Sequence, residues 1–284
     1  MHVNSLRITP GVKYILLATL FFALMNVGVK YLTRIPAHEI VLFRALVTLV
    51  VGYFVLRVRR IYPWGRNRRL LIMRGIAGTA ALIMYFWTVK HMPLASAVTI
   101  QYLSPIFTVF ISGLMLKEPA RAIQWLFYAI VFGGVLMIKG FDTRISMSEL
   151  MIGIMAAVFS ALAYNFVRKL KDYEDPLVVV FYFPLVTVPV VGLYTIFYWV
   201  TPQFLELLIL IGVGLTTTMA QIYLTKAYHA DSAVNISIFN YLGIIYAIIF
   251  GFIIFGESIP LLVYVGFILI VFGIIMSNRF RRIL

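Results

Sequence analysis

What most constrains this chain is the recurrence of apolar runs long enough to cross a lipid bilayer. From Tyr14 to Val29 no charged side chain occurs, and at about 1.5 Å per residue some 20 helical residues cross a hydrocarbon layer about 30 Å thick. Comparable runs, separated by charged or proline-containing breaks, fall at 12–32, 37–57, 70–90, 95–116, 122–139, 148–168, 177–199, 204–226, 233–255 and 260–278. They predict an all-α integral membrane protein with ten transmembrane helices. Composition leads to the same conclusion: 63% of residues are hydrophobic and 12% charged, too little polar side chain to cover a water-soluble globule. The first run leads into Asn26 and Lys30 with no small-residue cleavage pattern behind it, which reads as a retained span rather than a signal peptide. Pro36, Pro93, Pro119, Pro176, Pro202 and Pro260 stand at or just before runs, where a missing N–H costs least.

Lysine and arginine total 24 against 10 acidic residues, a formal net charge of +14. In a soluble protein that balance points to nucleic acid; in a polytopic membrane protein it marks basic cytoplasmic loops, and no nucleic-acid partner is predicted. With the N-terminus inside, the inside segments collect Arg7, Lys13, seven arginines from Arg57 to Arg74, Lys117, Arg121, Arg168, Lys169, Lys171, Lys226, Arg279, Arg281 and Arg282. The outside segments collect Lys30, Arg34, Lys90, Lys139 and Arg144, while Arg44 falls within a span. This bias predicts that both termini are cytoplasmic. The loop from Arg57 to Arg74, which contains Tyr62-Pro63-Trp64-Gly65, reads as a topology determinant resting on anionic headgroups. The absence of cysteine removes disulfides, thiolate metal sites and a Cys nucleophile.

The two halves can be laid over each other. Ala23-Leu24, Val29-Lys30 and Leu32 match Ala161-Leu162, Val167-Arg168 and Leu170 at an offset of 138. Gly78 with Lys90 matches Gly214 with Lys226, and Ser96-Ala97-Val98 matches Ser232-Ala233-Val234, at 136. Tyr102-Leu103 with Glu118 matches Tyr241-Leu242 with Glu257 at 139, and Val131-Phe132-Gly133 matches Val271-Phe272-Gly273 at 140. Four matches in one order at nearly constant offset indicate an internal repeat of five helices, spanning 1–140 and 141–284. Five is odd, so two halves that fold alike enter the membrane from opposite sides. Inverted repeats of this kind are a recurrent plan of secondary transporters.

The five-plus-five pattern resembles the drug/metabolite transporter superfamily, and within it the EamA-type ten-helix transporters. The likeness is carried by Ala23-Leu24-Met25-Asn26 in the first span and Phe43-Arg44 in the second. It is also carried by Met92-Pro93-Leu94-Ala95-Ser96-Ala97 entering the fourth, by Tyr102 through Glu118-Pro119, and by Gly256-Glu257 in the place of Lys117-Glu118. The second half has Ile244 where the first has Pro105. The resemblance implies export or exchange of a small metabolite, an amino acid or related zwitterion, across the plasma (inner) membrane by alternating access. The entry into the fourth span is also similar to relatives that handle organic anions and sugar nucleotides. A small-molecule substrate, the lipid bilayer and a monomeric or loosely dimeric state follow; no cofactor or metal is expected.

Polar groups inside spans turn toward the bundle interior, which nominates a substrate path. Asn26 lies near mid-membrane in the first span, and Asn165 is one position off the equivalent place in the sixth. Arg44, seven residues into the second span, offers a planar donor fork for carboxylate or phosphate. The third and fourth spans add Thr79, Tyr85, Trp87, Gln101, Tyr102 and Ser104; the eighth and ninth add Gln221, Tyr223, Asn235 and Asn240. Pro105 removes the N–H that would bond the Gln101 carbonyl and leaves an acceptor on that face. Glu118 and Glu257 end corresponding helices on opposite sides; with Pro105 they are the gating or coupling candidates, although a carboxylate there also favours the following helix dipole. A membrane-embedded enzyme would need clustered His or acids at depth, and His2, His38, His91 and His229 all lie near span ends, with no HExxH or GxSxG. The chain is read as a transporter with no catalytic residue.

Overall fold

In a bilayer every backbone N–H and C=O must be satisfied within the chain, so an apolar sequence of this kind crosses as helices. The computed structural model describes residues 10–116, 145–230 and 242–257, together with 123, 125–127, 129–130, 133–134, 236, 264–266, 268–269, 271–273 and 276. Its main helices are α1 (Pro10–Tyr31), α2 (Ala37–Val58), α3 (Arg68–His91), α4 (Leu94–Gln101), α5 (Ser104–Met115), α6 (Met147–Leu170), α7 (Pro176–Phe197), α8 (Phe204–Ala230) and α9 (Leu242–Phe255). Among the described residues seven segments are long and apolar enough to cross a membrane, counting Ser96–Met115 as one. A shorter apolar helix, Tyr246–Phe255, stands in the place of the ninth expected span. The fifth and tenth expected spans lie largely outside the described residues.

Helix ends follow the sequence signals. Pro36 and Pro93 immediately precede α2 and α4. Pro176 opens α7 behind Asp175, whose carboxylate accepts the Leu177 N–H at 2.8 Å. At the start of α6 the Ser146 hydroxyl accepts the Glu149 N–H and the Glu149 carboxylate accepts the Ser146 N–H, a reciprocal cap. The fourth expected span is not one continuous helix. The Tyr102 N–H turns back to the Val98 and Thr99 carbonyls, and the Leu103 N–H to Ile100, while Ile106 and Phe107 both donate to Leu103. Pro105, in the first turn of α5, causes this break, since it has no N–H for the preceding turn and its ring crowds that turn's carbonyl.

Packing runs across the repeat rather than within it. The most extensive contacts join α1 to α8 and α3 to α6, which are one contact made twice if α1 corresponds to α6 and α3 to α8. The directions are opposed, too. Leu32 and Ile35, just beyond α1, share an apolar cluster with Ile145 and Leu150 at the start of α6. Ile15, near the start of α1, packs with Val167 and Leu170 at the end of α6.

Hydrogen bonds fix the register of the repeat. The Thr79 hydroxyl meets the Thr187 hydroxyl at 2.7 Å and donates to the Gly75 carbonyl; the Thr218 hydroxyl meets Thr48 at 2.8 Å and donates to the Gly214 carbonyl. A β-carbon on Gly75 would lie 2.7 Å from the Val186 side chain, and one on Gly214 would lie 2.5 Å from that of Val47. Every member of one set maps to the other at an offset of 139. This corrects the 136 register that pairs Gly78 with Gly214. The difference is three residues, about one helical turn, which brings a small residue to nearly the same helix face.

Candidate functional site

Between the two apolar clusters, at the level of Thr19 to Asn26 on α1, the helices enclose a cavity of about 130 Å³. Its walls include Asn26 from α1, Arg44 from α2, Arg74, Gly78 and Tyr85 from α3, and Gln101, Tyr102, Ser104 and Pro105 at the α4–α5 break. The second half supplies Ser160 and Tyr164 from α6, Phe183 from α7, Gln221 and Leu224 from α8, and Gly243 from α9. Tyr164 stands 138 residues after Asn26, so equivalent positions of the two repeats face one space.

Two guanidinium groups dominate this space. Arg44 and Arg74 are 2% and 3% exposed, and both lie over the Phe183 ring, at 5.4 and 4.3 Å from its centroid. Arg74 Nη2 donates to Gln221 Oε1 at 3.2 Å. Nε and Nη1 of each arginine are buried with no partner, and no acidic side chain lines the cavity among the described residues. A cation at the bilayer centre costs about 2.5–3.5 kcal/mol even on insertion scales, whereas a cation–π contact returns about 0.5–2 kcal/mol. The balance leaves an unmet demand for an anion, which a carboxylate or phosphate satisfies with charge-assisted hydrogen bonds. Gly78 makes the arrangement possible: a β-carbon there would lie 2.8 Å from Phe183 Cε2 and 2.9 Å from Arg74 Nη1.

Acceptors stand in the same cavity. Gln101 Nε2 donates to the Ser160 hydroxyl at 2.7 Å, and Asn26 lines the cavity from α1. Gln101 Oε1 and Asn26 Oδ1 are buried without donors.

Of the residues nominated from sequence, Asn26, Arg44, Tyr85, Gln101, Tyr102, Ser104, Pro105 and Gln221 line the cavity. Others lie elsewhere. Thr79 ties α3 to α7, Trp87 stacks on His91 at the end of α3, 4.0 Å between centroids, and Tyr223 stacks with Tyr14 and Phe21. Asn165 donates to the Thr108 and Ala161 carbonyls at 3.0 and 2.9 Å, because one residue turns it about 100° around α6 from Tyr164. Asn235, Asn240 and Glu118 lie outside the described residues. Sequence reasoning missed Arg74, which it counted with the loop arginines although it stands in the second turn of α3. The available signal was its position seven residues into the helix, away from Arg66, Arg68 and Arg69.

At one end of the bundle Glu257, just beyond α9, is tied to α1 and α4. The Gly256 backbone is left-handed, φ +61°, and the Glu257 N–H returns to the Gly251 carbonyl at 3.0 Å, a turn that glycine adopts without strain. It presents Glu257 to Lys30 at 2.7 Å and to the Leu94 N–H, the first of α4, at 3.0 Å. Lys30 also donates to the Met92 carbonyl. Arg34 nearby bonds Glu206 and the Thr201 carbonyl.

The EamA-like transporter family matches residues 9–140 and 147–279, the two halves defined by the repeat. The chain belongs to the EamA-like transporter family. It is a multi-pass membrane transporter of small molecules, not an enzyme. It is 30% identical over 275 residues to the pseudopaline exporter CntI of Pseudomonas aeruginosa, covering 96% of this chain and 97% of that one. It is 24% identical over 254 residues to the S-adenosylmethionine uptake transporter of Rickettsia prowazekii, covering 87% and 85%. A solved crystal structure aligns with a TM-score of 0.72 at 17% identity, covering 96% of this transporter and 99% of that chain; this likeness concerns the fold alone.

Proposed function

We propose that this transporter moves an amino acid or a related zwitterion out of the cell, by export or exchange, through alternating access around the central cavity. The observation that carries the reading is the pair of buried arginines facing one enclosed space with no acidic neighbour among its lining residues. The solute's carboxylate sits on Arg44 and Arg74, and its ammonium on the acceptors Asn26 Oδ1 and Gln101 Oε1. Tyr85, Tyr102, Ser104 and Gln221 complete the contact. The volume, about 130 Å³, compares with the ~150 Å³ apolar cavity that holds one benzene molecule, and suits an amino-acid-sized solute better than a nucleotide sugar. A small organic anion without an ammonium group is the second reading, favoured by two cations in one cavity.

Export is supported by the name of the Pseudomonas relative, which matches nearly this whole chain. The basic loop Arg57–Arg69 supports placing that end in the cytoplasm of a plasma (inner) membrane, with both termini on the same side. Residues 1–140 and 141–284 then act as the two rocking units of one chain, in a monomer or loose dimer. Glu257 with Lys30 forms the gate on the outer side, and Glu118, 139 residues earlier in the sequence, is its counterpart in the first repeat. Thermal-shift screening of the purified protein with L-amino acids and small organic acids tests the solute class, since a solute that binds the folded form raises Tm. Counterflow in proteoliposomes then tests carriage: internal unlabelled solute transiently drives labelled solute above its external concentration. Stabilisation confined to the decarboxylated amines and carboxamides of these solutes, with none by any compound that carries a carboxylate, would refute the reading.

A further inference from the structure

At the basic end, α2 stops in a turn that, like the one before Glu257, contains a left-handed residue. The Arg60 N–H returns to the Arg57 carbonyl at 3.1 Å and the Ile61 N–H to Leu56 at 2.9 Å, a helix-closing pattern whose left-handed residue is usually glycine. Here the left-handed position is held by an arginine, φ +55°, a conformation that a residue with a β-carbon adopts only under strain. The loop behind it is fixed. Gly65 is also left-handed, φ +61°, and the Glu174 carboxylate accepts the Arg66 and Asn67 N–H groups. Arg60 is therefore held rather than free, and strain of this kind directs attention to the side chain it positions.

That side chain stands over an open groove of about 880 Å³ between α2 and α7. Its floor is apolar, with Val50, Phe54, Phe181 and Leu185, and its mouth carries Arg57, Arg60 and Trp64. Val50 and Phe54 are 54% and 64% exposed, so this wall of the bundle faces lipid acyl chains. Arg57 is braced by the Tyr53 hydroxyl, to which its Nε donates at 2.9 Å. Tyr62 and Trp64, 66% and 47% exposed, are the residue types that settle at the headgroup level. Two cations at the rim of an apolar trough, one of them braced by Tyr53, match an anionic headgroup attached to an acyl chain.

We propose that this groove is a binding site for one anionic phospholipid, its phosphate held by Arg57 and Arg60 and an acyl chain laid along Phe54, Phe181 and Leu185. The site is separate from the central cavity, with which it shares only the Phe181–Phe183 turn of α7 as neighbouring wall. Native mass spectrometry of the full-length protein with phosphatidylglycerol and phosphatidylcholine tests it. Wild type is expected to retain phosphatidylglycerol at least fivefold over phosphatidylcholine, with soluble glycerophosphate failing to displace it. Arg60→Gly relieves the left-handed backbone, so Tm holds or rises while that preference falls to near unity. Arg60→Lys keeps most of the preference, and Arg69→Gln, at the same end but outside the groove, leaves it unchanged. An Arg60→Gly protein that is folded and still prefers phosphatidylglycerol overturns the proposal. So does equal retention of both lipids by wild type, or displacement by glycerophosphate, which would mean a simple phosphate site.

Discussion

The two halves of the chain share a skeleton and divide the chemistry unequally. The threonine pairs Thr79–Thr187 and Thr48–Thr218, and the close approaches at Gly75 and Gly214, are one arrangement used twice. At the same offset of 139, however, Arg44 corresponds to Phe183 and Arg74 to Val213. Both cavity cations come from the first half, and the second half answers with the aromatic ring beneath them and the amide of Gln221. Duplication preserved what packs helices and let the polar lining diverge.

The largest effects are expected where the halves differ. Arg44→Ala and Arg74→Ala each remove charge-assisted hydrogen bonds, so affinity for a carboxylate solute should fall about 100-fold, about 2.7 kcal/mol, with folded yield retained. Val213→Ala, the counterpart of Arg74, should leave affinity within about twofold. Titration of the purified variants checks both, and equal losses at Arg74 and Val213 would break the asymmetry.

Next come positions where the halves agree. Gly75→Ala and Gly214→Ala insert a β-carbon into side-chain contact at less than 3 Å, and each should destabilise by about 1–3 kcal/mol, read as matched drops in Tm. A drop at only one would show that the two interfaces are not equivalent. Thr79→Val and Thr48→Val each remove a hydroxyl pair, worth about 0.6 kcal/mol in a membrane interior, and should again match. The smallest effect is expected at Glu257→Gln. The Lys30–Glu257 pair is partly exposed, with side chains 17% and 11% accessible, and ion pairs at such surfaces contribute about 0–1 kcal/mol. Its removal should barely move Tm yet raise the labelling of a cysteine placed at Leu94, because the tie to α4 is loosened. Unchanged labelling would remove this pair from gating.

The membrane class and the repeat are legible in the sequence because each rests on a property of long segments. Finer geometry is not. The register of the third span against the eighth slipped by three residues because small residues at Gly75 and Gly78 lie on nearly one face, and only Val186 and Val47 decide between them. Arg44 was legible as a lone charge within a run, whereas Arg74 was hidden among loop arginines that a linear count cannot separate by depth. Asn165 was nominated and Tyr164 overlooked because polarity, rather than the angle around α6, guided the choice. Trp87 and Tyr223 have the amphipathic character of cavity residues; the Trp87–His91 stack is an i, i+4 contact within α3 that the spacing already offers, whereas Tyr14, the partner of Tyr223, comes from tertiary packing.

Carboxylate dependence tests the central claim most directly. Binding of L-amino acids and of their carboxamides to wild type and to Arg74→Ala should be measured side by side by thermal shift and calorimetry. Wild type is expected to favour the best-bound acid over its amide by at least 50-fold, and the variant to lose most of this preference. Equal affinity of wild type for acid and amide, or a preference untouched in Arg74→Ala, would contradict the claim.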